Sequence, residues 1–317
     1  MLDAHFCEIC LDELGVEFIV SFLGLAACDR VKLLGENCLK PTVLYVVSRP
    51  HSGSTLLGLL MNAHSRVISV GELKKLLHHQ TCTCHGVRPE DCPFWSQVAT
   101  SVRDSVGLAL HELDLRDCDN EEKFVRDNQA LYSAIALVSG YSFIVDSSKN
   151  LLRLKGLIKA VSRGAQFDLI PIYLRRGPFG TLNSARRKKE DLRVPIYDYN
   201  KYFFQSRACL NGIHHSLVYY ENLAKNPRRE LSRVMRDVGL SFEESQLSWR
   251  NSIIRDIGGN RMRRESSDVI RLDQSWRREL SLHLKVKIFI QTLPVRMRSR
   301  RLFEWLKSWI KPAKVVS

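Results

Sequence analysis

Apolar residues in this chain fall into short solid blocks separated by longer stretches with helical spacing. Val43–Val47 is one such block, and others end at Asp146, at Leu174 and at Tyr219. Blocks this short and this apolar predict buried strands near 43–48, 142–146, 168–174 and 216–219. Leu56, Leu57, Leu59 and Leu60 begin a helical pattern immediately after a loop of small residues. Helices are predicted over 54–63, 150–163, 178–190 and 227–238, with further ones over Asn120 to Val138 and Tyr197 to Cys209. Strand and helix alternate, which implies an α/β fold with a mostly parallel central sheet and helices on both faces. Residues 74–118 are less regular and carry a cysteine-containing insert at 82–95. The pattern divides the chain into a helical extension over 1–40, a main domain over 41–290 and a basic amphipathic helix over 291–317.

Polar chemistry collects where these strands end. Val47 is followed by Ser-Arg-Pro-His-Ser-Gly-Ser-Thr, residues 48–55, and then by the helix. A strand, a small-residue loop and a helix N-terminus make an anion cradle, because the first helical N–H groups point at the ligand with the dipole behind them. Gly53 lets the backbone approach closely, Ser52, Ser54 and Thr55 add hydroxyls, and Arg49 and His51 add charge. An ordinary strand-to-helix turn is the plain alternative. The loop is not a Walker A motif, since no lysine follows Gly53. The second strand ends in Asp146-Ser-Ser-Lys149 and the third in Arg175-Arg176, with Ser184 eight positions beyond Arg176. Open α/β sheets bind ligands off such strand ends.

These residues together resemble the sulfotransferases that use 3′-phosphoadenosine 5′-phosphosulfate (PAPS). The resemblance rests on His51-Ser-Gly-Ser-Thr-Leu-Leu57, Ser69-Val-Gly-Glu72, Asp146-Ser-Ser-Lys149, Leu174-Arg-Arg-Gly-Pro178 with Ser184, Tyr220-Glu-Asn-Leu223 and Gly259-Asn260, in family order over roughly 42–280. It is closest to a bacterial branch with a Cys-x-Cys…Cys-Pro-Phe-Trp insert, here Cys82-Thr-Cys84 through Cys92-Pro-Phe-Trp95. It implies a P-loop-like three-layer fold and transfer of a sulfuryl group to an acceptor hydroxyl on a carbohydrate, lipid or small molecule. It places the donor's 5′-phosphate on residues 52–55, with Arg49 and His51 adding charge, its 3′-phosphate on Arg176 and Ser184, the nucleotide against Tyr220, and a closing loop at Gly259, Asn260 and Arg261. Lys149 would bring an ammonium to the bridging oxygen. Glu72 would take the acceptor's proton, its carboxyl raised by an enclosed site, with His78, His79 and His51 as alternatives. Three positions depart from the family pattern: His51 replaces an arginine, Gly177 an aspartate and Phe179 an arginine.

Composition narrows the picture only slightly. The chain has 317 residues, 44% hydrophobic and 26% charged, which suits a globular protein. A net charge of +14 calls for an anionic partner. Nucleic acid is not expected, because no aromatic platforms interleave with the basic runs. Nine irregularly spaced cysteines point to reduced thiols and a cytoplasmic setting. Cys7 and Cys10 read as free or buried thiols, whereas Cys82, Cys84 and Cys92 are the better metal or disulfide candidates. No metal is expected in the transfer itself. The run 300–311 is basic and amphipathic; it packs on the chain's own core or makes a peripheral contact with an anionic membrane. Two other functions remain open at this point: a P-loop-like nucleotide kinase, and a non-catalytic nucleotide-binding protein of the same fold.

Overall fold

The computed structural model describes residues 40–298, apart from 79, 117–119, 189–190 and 259–268. Residues 1–39 of the extension, the basic run over 300–311, the Cys7/Cys10 pair, His79 and the Gly259-Asn260-Arg261 loop lie outside the described residues. Five strands form one sheet: β1 (Thr42–Val47), β2 (Val67–Gly71), β3 (Phe143–Asp146), β4 (Asp168–Arg175) and β5 (Ser216–Tyr219). Their order is β2-β3-β1-β4-β5, and every pairing is parallel. A parallel sheet needs helical crossovers, which cover both faces and leave the central strand nearly all apolar. Leu44, Tyr45, Val46 and Val47 are fully buried.

The helices that matter here are α1 (Ser54–Asn62), α2 (Pro93–Val106), α3 (Glu121–Ser139), α4 (Leu151–Ser162), α5 (Pro178–Arg187), α6 (Arg193–Cys209), α7 (Tyr220–Lys225) and α8 (Pro227–Asp237). One core layer packs α2, α3 and α4 against the sheet through Trp95, Phe124, Leu131, Leu154 and Phe167. The other packs α1 and α8 through Leu57, Leu60, Leu231 and Met235. The four expected strands and six expected helices are all present, with ends shifted by a few residues. Of the elements named, β2, α2 and the short α7 escaped the sequence pattern. Strand β2 is five residues long and includes Ser69, whose hydroxyl donates to Asp256 at 2.6 Å, so its apolar block is too short and too interrupted to read. Helix α2 is rich in serine, threonine and valine, which have modest helix propensity, although its buried residues Phe94, Trp95, Val98, Ala99 and Val102 follow helical spacing.

The loop after β3 is clamped from several sides. Asp146 is fully buried and accepts from Ser148 N–H at 2.8 Å, from Tyr132 at 2.9 Å and from Arg153 at 3.0 and 3.1 Å. Arg153, also fully buried, donates its remaining N–H groups to Asn128, Tyr132 and the Leu115 carbonyl. Ser147 N–H bonds to Gly71 O at 2.7 Å, the backbone of Asn150 exchanges two bonds with the Tyr45 hydroxyl, and the Asn150 side chain caps α4. A buried ion pair persists only when every polar atom is satisfied, and removing one partner strands the other charge. Asp146→Ala should therefore lower stability by about 3–5 kcal/mol, seen as a lower urea midpoint with an unchanged slope; a loss under about 1 kcal/mol would show that Arg153 finds other partners.

Candidate active site

The polar tips of β1, β2, β3 and β4 meet at the C-terminal edge of the sheet, and each carries a residue singled out in the sequence. Beyond β1 the chain turns into α1 through Gly53, whose φ of 94° only glycine adopts freely. A Cβ there would also lie 2.5 Å from the Tyr220 ring. No side chain caps α1, so its first N–H groups are free to meet an anion. Ser52 and Ser54 are buried beside them. Among the described residues only His51 (φ 67°) and Lys149 (φ 59°) are non-glycine residues with positive φ. Such backbone conformations are costly and concentrate at functional sites.

Lys149 stands between two elements. Its ammonium donates to Glu72 at 3.0 Å, and its contact with Ser54 Oγ is 3.4 Å. Lys75 approaches the same Glu72 oxygen at 3.3 Å. Burial by itself would raise the Glu72 carboxyl, but the two ammoniums outweigh it and hold the group below its ordinary value. That corrects the expectation of a raised carboxyl. The family resemblance implied an enclosed carboxylate, and only the fold showed two lysines paired with it. Burial likewise lowers Lys149, with Glu72 opposing. Of the alternative bases, His78 ends the short turn Leu73–His78, where its Nε2 accepts from Arg116.

Arg176, beyond β4, is 8% exposed and lies 4.3 Å over the Tyr220 ring. It donates to the His51 carbonyl at 2.9 Å and to Asp273 at 2.8 Å. Asp273 was missed in the sequence, because it sits in an irregular segment and meets Arg176 only through the fold; its backbone N–H in turn bonds to the Tyr220 hydroxyl. The guanidinium lies over the first turn of α5, and a Cβ on Gly180 would come within 2.7 Å of it. Ser184 is one turn further, bonded back to the Gly180 carbonyl at 3.0 Å, so it shares that helix face. Gly177, where an aspartate is usual, gives its N–H to Glu221. Arg49 approaches Asp198 of α6 at 3.8 Å and shares a cleft with Ser52 and Arg176.

The model of the sulfotransferase family matches residues 43–244, which takes in all five strands. The chain belongs to the sulfotransferase family. It is an enzyme of sulfuryl transfer, and the kinase alternative falls away. No curated protein matches the sulfotransferase in sequence. Among solved structures it is similar to the sulfotransferase domain of the Synechococcus PCC 7002 olefin synthase, with 18% identity, a TM-score of 0.53, and coverage of 82% of this chain and 96% of that one. It is similar also to the sulfotransferase domain from the curacin biosynthetic pathway, at 19% identity and a TM-score of 0.51, covering 80% and 97%. At these identities the likeness is one of fold. Among the described residues no helix of this sulfotransferase is long and apolar enough to cross a membrane.

The ion pairs around Glu72 set a pH dependence. A carboxylate whose folded-state pKa is depressed stabilises the fold above its ordinary value, 4.5 here, and loses that contribution as pH falls through the depressed value. The stability difference between wild type and Glu72→Gln should therefore shrink in acid. Urea midpoints from neutral pH down to about 3 measure this; a difference that stays constant would mean the ion pairs contribute nothing.

Proposed function

We propose that this sulfotransferase moves the sulfuryl group of 3′-phosphoadenosine 5′-phosphosulfate to a hydroxyl-bearing acceptor, with Lys149 and Glu72 at the reacting centre. The observation that carries this reading is the position of Lys149, within hydrogen-bond reach of both the Glu72 carboxylate and the α1 loop hydroxyl of Ser54. An ammonium between an anion cradle and a carboxylate faces the leaving phosphate on one side and the attacking hydroxyl on the other.

PAPS supplies an activated sulfate whose bond to the 5′-phosphate breaks as the acceptor oxygen attacks. The work left to the protein is alignment and charge stabilisation, as in phosphoryl transfer. The α1 N–H groups, Ser52, Ser54 and Thr55 would hold the 5′-phosphate, with Arg49 and His51 beside them. Arg176 and Ser184 would hold the 3′-phosphate, the guanidinium offering its planar fork. The Tyr220 ring packs against the Arg176 guanidinium, and Gly259, Asn260 and Arg261 are assigned to the nucleotide by the family resemblance alone.

Glu72 would accept the acceptor's proton. Paired with two lysines it is a weak base, so it must lose part of that pairing first. A phosphosulfate that drew Lys149 to its bridging oxygen would do this, because one ammonium would turn from Glu72 to the donor. Base strength would then rise only with donor bound. Asp146 is fully engaged by Ser148, Tyr132 and Arg153, so it is not open to magnesium, and the transfer step is read as needing no metal. The acceptor is taken to be a hydroxyl of a carbohydrate, lipid or small molecule.

Two measurements test this assignment. Calorimetry should show adenosine 3′,5′-bisphosphate binding far more tightly than adenosine 5′-phosphate, and Arg176→Ala should remove most of that preference, about 2–4 kcal/mol. Equal affinity of the wild type for the two nucleotides would sink the 3′-phosphate site. With labelled donor and a panel of hydroxyl acceptors, Glu72→Gln should cut turnover by about 10²–10⁴ with nucleotide affinity nearly unchanged. Near-normal turnover would pass the proton to a histidine instead.

A further inference from the structure

Beside the transfer site, the insert gathers four soft ligands at one point. Cys82, Cys84, His85 and Cys92 each offer one atom, and these atoms all lie within 4.8 Å of one another. Cys84 Sγ is 3.3 Å from Cys92 Sγ, and Cys92 Sγ is 3.4 Å from His85 Nδ1. Zinc bonds of about 2.3 Å to sulfur and 2.0 Å to nitrogen imply ligand–ligand edges of roughly 3.5–3.8 Å in a tetrahedron. The Cys84–Cys92 and Cys92–His85 separations fall just short of that range, and the other separations all stay within 4.8 Å.

The backbone is shaped for the purpose. Cys82 N–H bonds to the Val87 carbonyl at 2.9 Å, Gly86 N–H bonds to the Cys82 carbonyl at 3.1 Å, and Gly86 turns with φ 71°. Cys92 then opens α2, with Pro93 as the first helical residue. The sulfurs of Cys82 and Cys92 are buried while His85 reaches the surface, which leaves an entry path for an ion.

We infer that Cys82, Cys84, His85 and Cys92 form a structural zinc site. A disulfide accounts for the cluster less well. The Cys84–Cys92 separation of 3.3 Å exceeds the about 2.05 Å of an S–S bond, and any single pairing leaves a third thiol and the imidazole over. Four protein ligands fill a tetrahedron with no open position, so the ion's work is to hold the insert rather than to activate a substrate. What it holds can be traced. Cys82 bridges to Ile257, and Ile257 bridges to Gly71 at the end of β2. Thr83 N–H bonds to the Asp256 carbonyl, Trp95 Nε1 bonds to the Arg255 carbonyl, and Glu72 N–H bonds to the Ile257 carbonyl at 3.1 Å. The site therefore fastens the Arg255–Gly258 segment against the strand end that carries Glu72.

The test uses the full chain, purified without metal-affinity resin and passed through gel filtration. Elemental analysis should find stoichiometric zinc. After removal of that zinc, added cobalt should produce the sulfur-to-cobalt charge-transfer band and the intense visible bands of a tetrahedral complex. Cys84→Ser should lose the metal. His85→Ala changes an exposed residue and should leave the chain folded, yet weaken zinc binding by roughly 10-fold or more and shift the cobalt spectrum away from that of a three-sulfur, one-nitrogen site. Chelation should lower the Tm of wild type and leave that of Cys84→Ser unchanged. A folded wild type that carries no zinc and gives no cobalt spectrum overturns the inference. So does a mass two hydrogens low with a Cys82, Cys84 or Cys92 pair disulfide-bonded, and so does an unaltered cobalt spectrum in His85→Ala. None of these readouts uses sulfuryl transfer, so they stand apart from the assignment of the donor site.

Discussion

The buried pair of Asp146 and Arg153 is the constraint on which the site depends. Two full charges out of water are tolerable only when each lone pair and each N–H has a partner, and here Tyr132, Asn128, Ser148 and the Leu115 carbonyl supply them. The consequence is positional. Asp146 ends β3 and Arg153 lies in the first turn of α4, so the pair closes the intervening loop to a single shape. That closure holds Lys149 at a positive φ, a conformation a free loop would relax. The network thus converts core polarity into the placement of one largely buried ammonium at the sheet edge.

A second linkage joins the two ends of the proposed nucleotide site. The Tyr220 ring touches the Gly53 turn on one side and carries the Arg176 guanidinium on the other. Arg176 also grips the His51 carbonyl. The loop assigned to one phosphate and the arginine assigned to the other are therefore one packed unit. This explains how His51 can stand in place of an arginine: its contribution to the unit includes a backbone carbonyl, which any residue provides. Asp273 completes it by pairing with Arg176 while its own backbone is held by Tyr220.

The carboxylate proposed for the reacting centre, Glu72, shows the tension expected of such a site. Lysines make Glu72 easy to keep ionised, which favours binding and stability, and hard to protonate, which opposes work as a base. A site in which the donor competes for Lys149 would resolve the two demands in sequence. The insert enters at the same strand end, since Ile257 touches both the Glu72 backbone and the Cys82 segment. Rigidity there is useful to any base that must meet a hydroxyl at one distance.

Much of this was legible in the amino-acid order. Local signals are carried by neighbouring residues, so the apolar blocks of β1, β3, β4 and β5, the glycine at the β1–α1 turn, the placement of Lys149 and Arg176 at strand ends and that of Ser184 on the following helix could all be read directly. The parallel topology followed from the alternation of strands and helices. What the order left hidden was every relation that needs two distant segments at once. Strand β2 and helix α2 draw their stability from tertiary burial more than from local preference. Lys75 was adjacent to Glu72 in the sequence, three residues away, but that spacing alone does not show that Lys149 arrives from 77 residues further on. Asp273 reaches Arg176 across 97 residues, and His85 becomes a fourth ligand only because a tight turn brings its ring to Cys92. The amino-acid order by itself determined which groups stand at the strand ends. The tertiary structure decided which of them are paired, and so which charges remain available, because electrostatic interactions depend on distances that no one-dimensional pattern records.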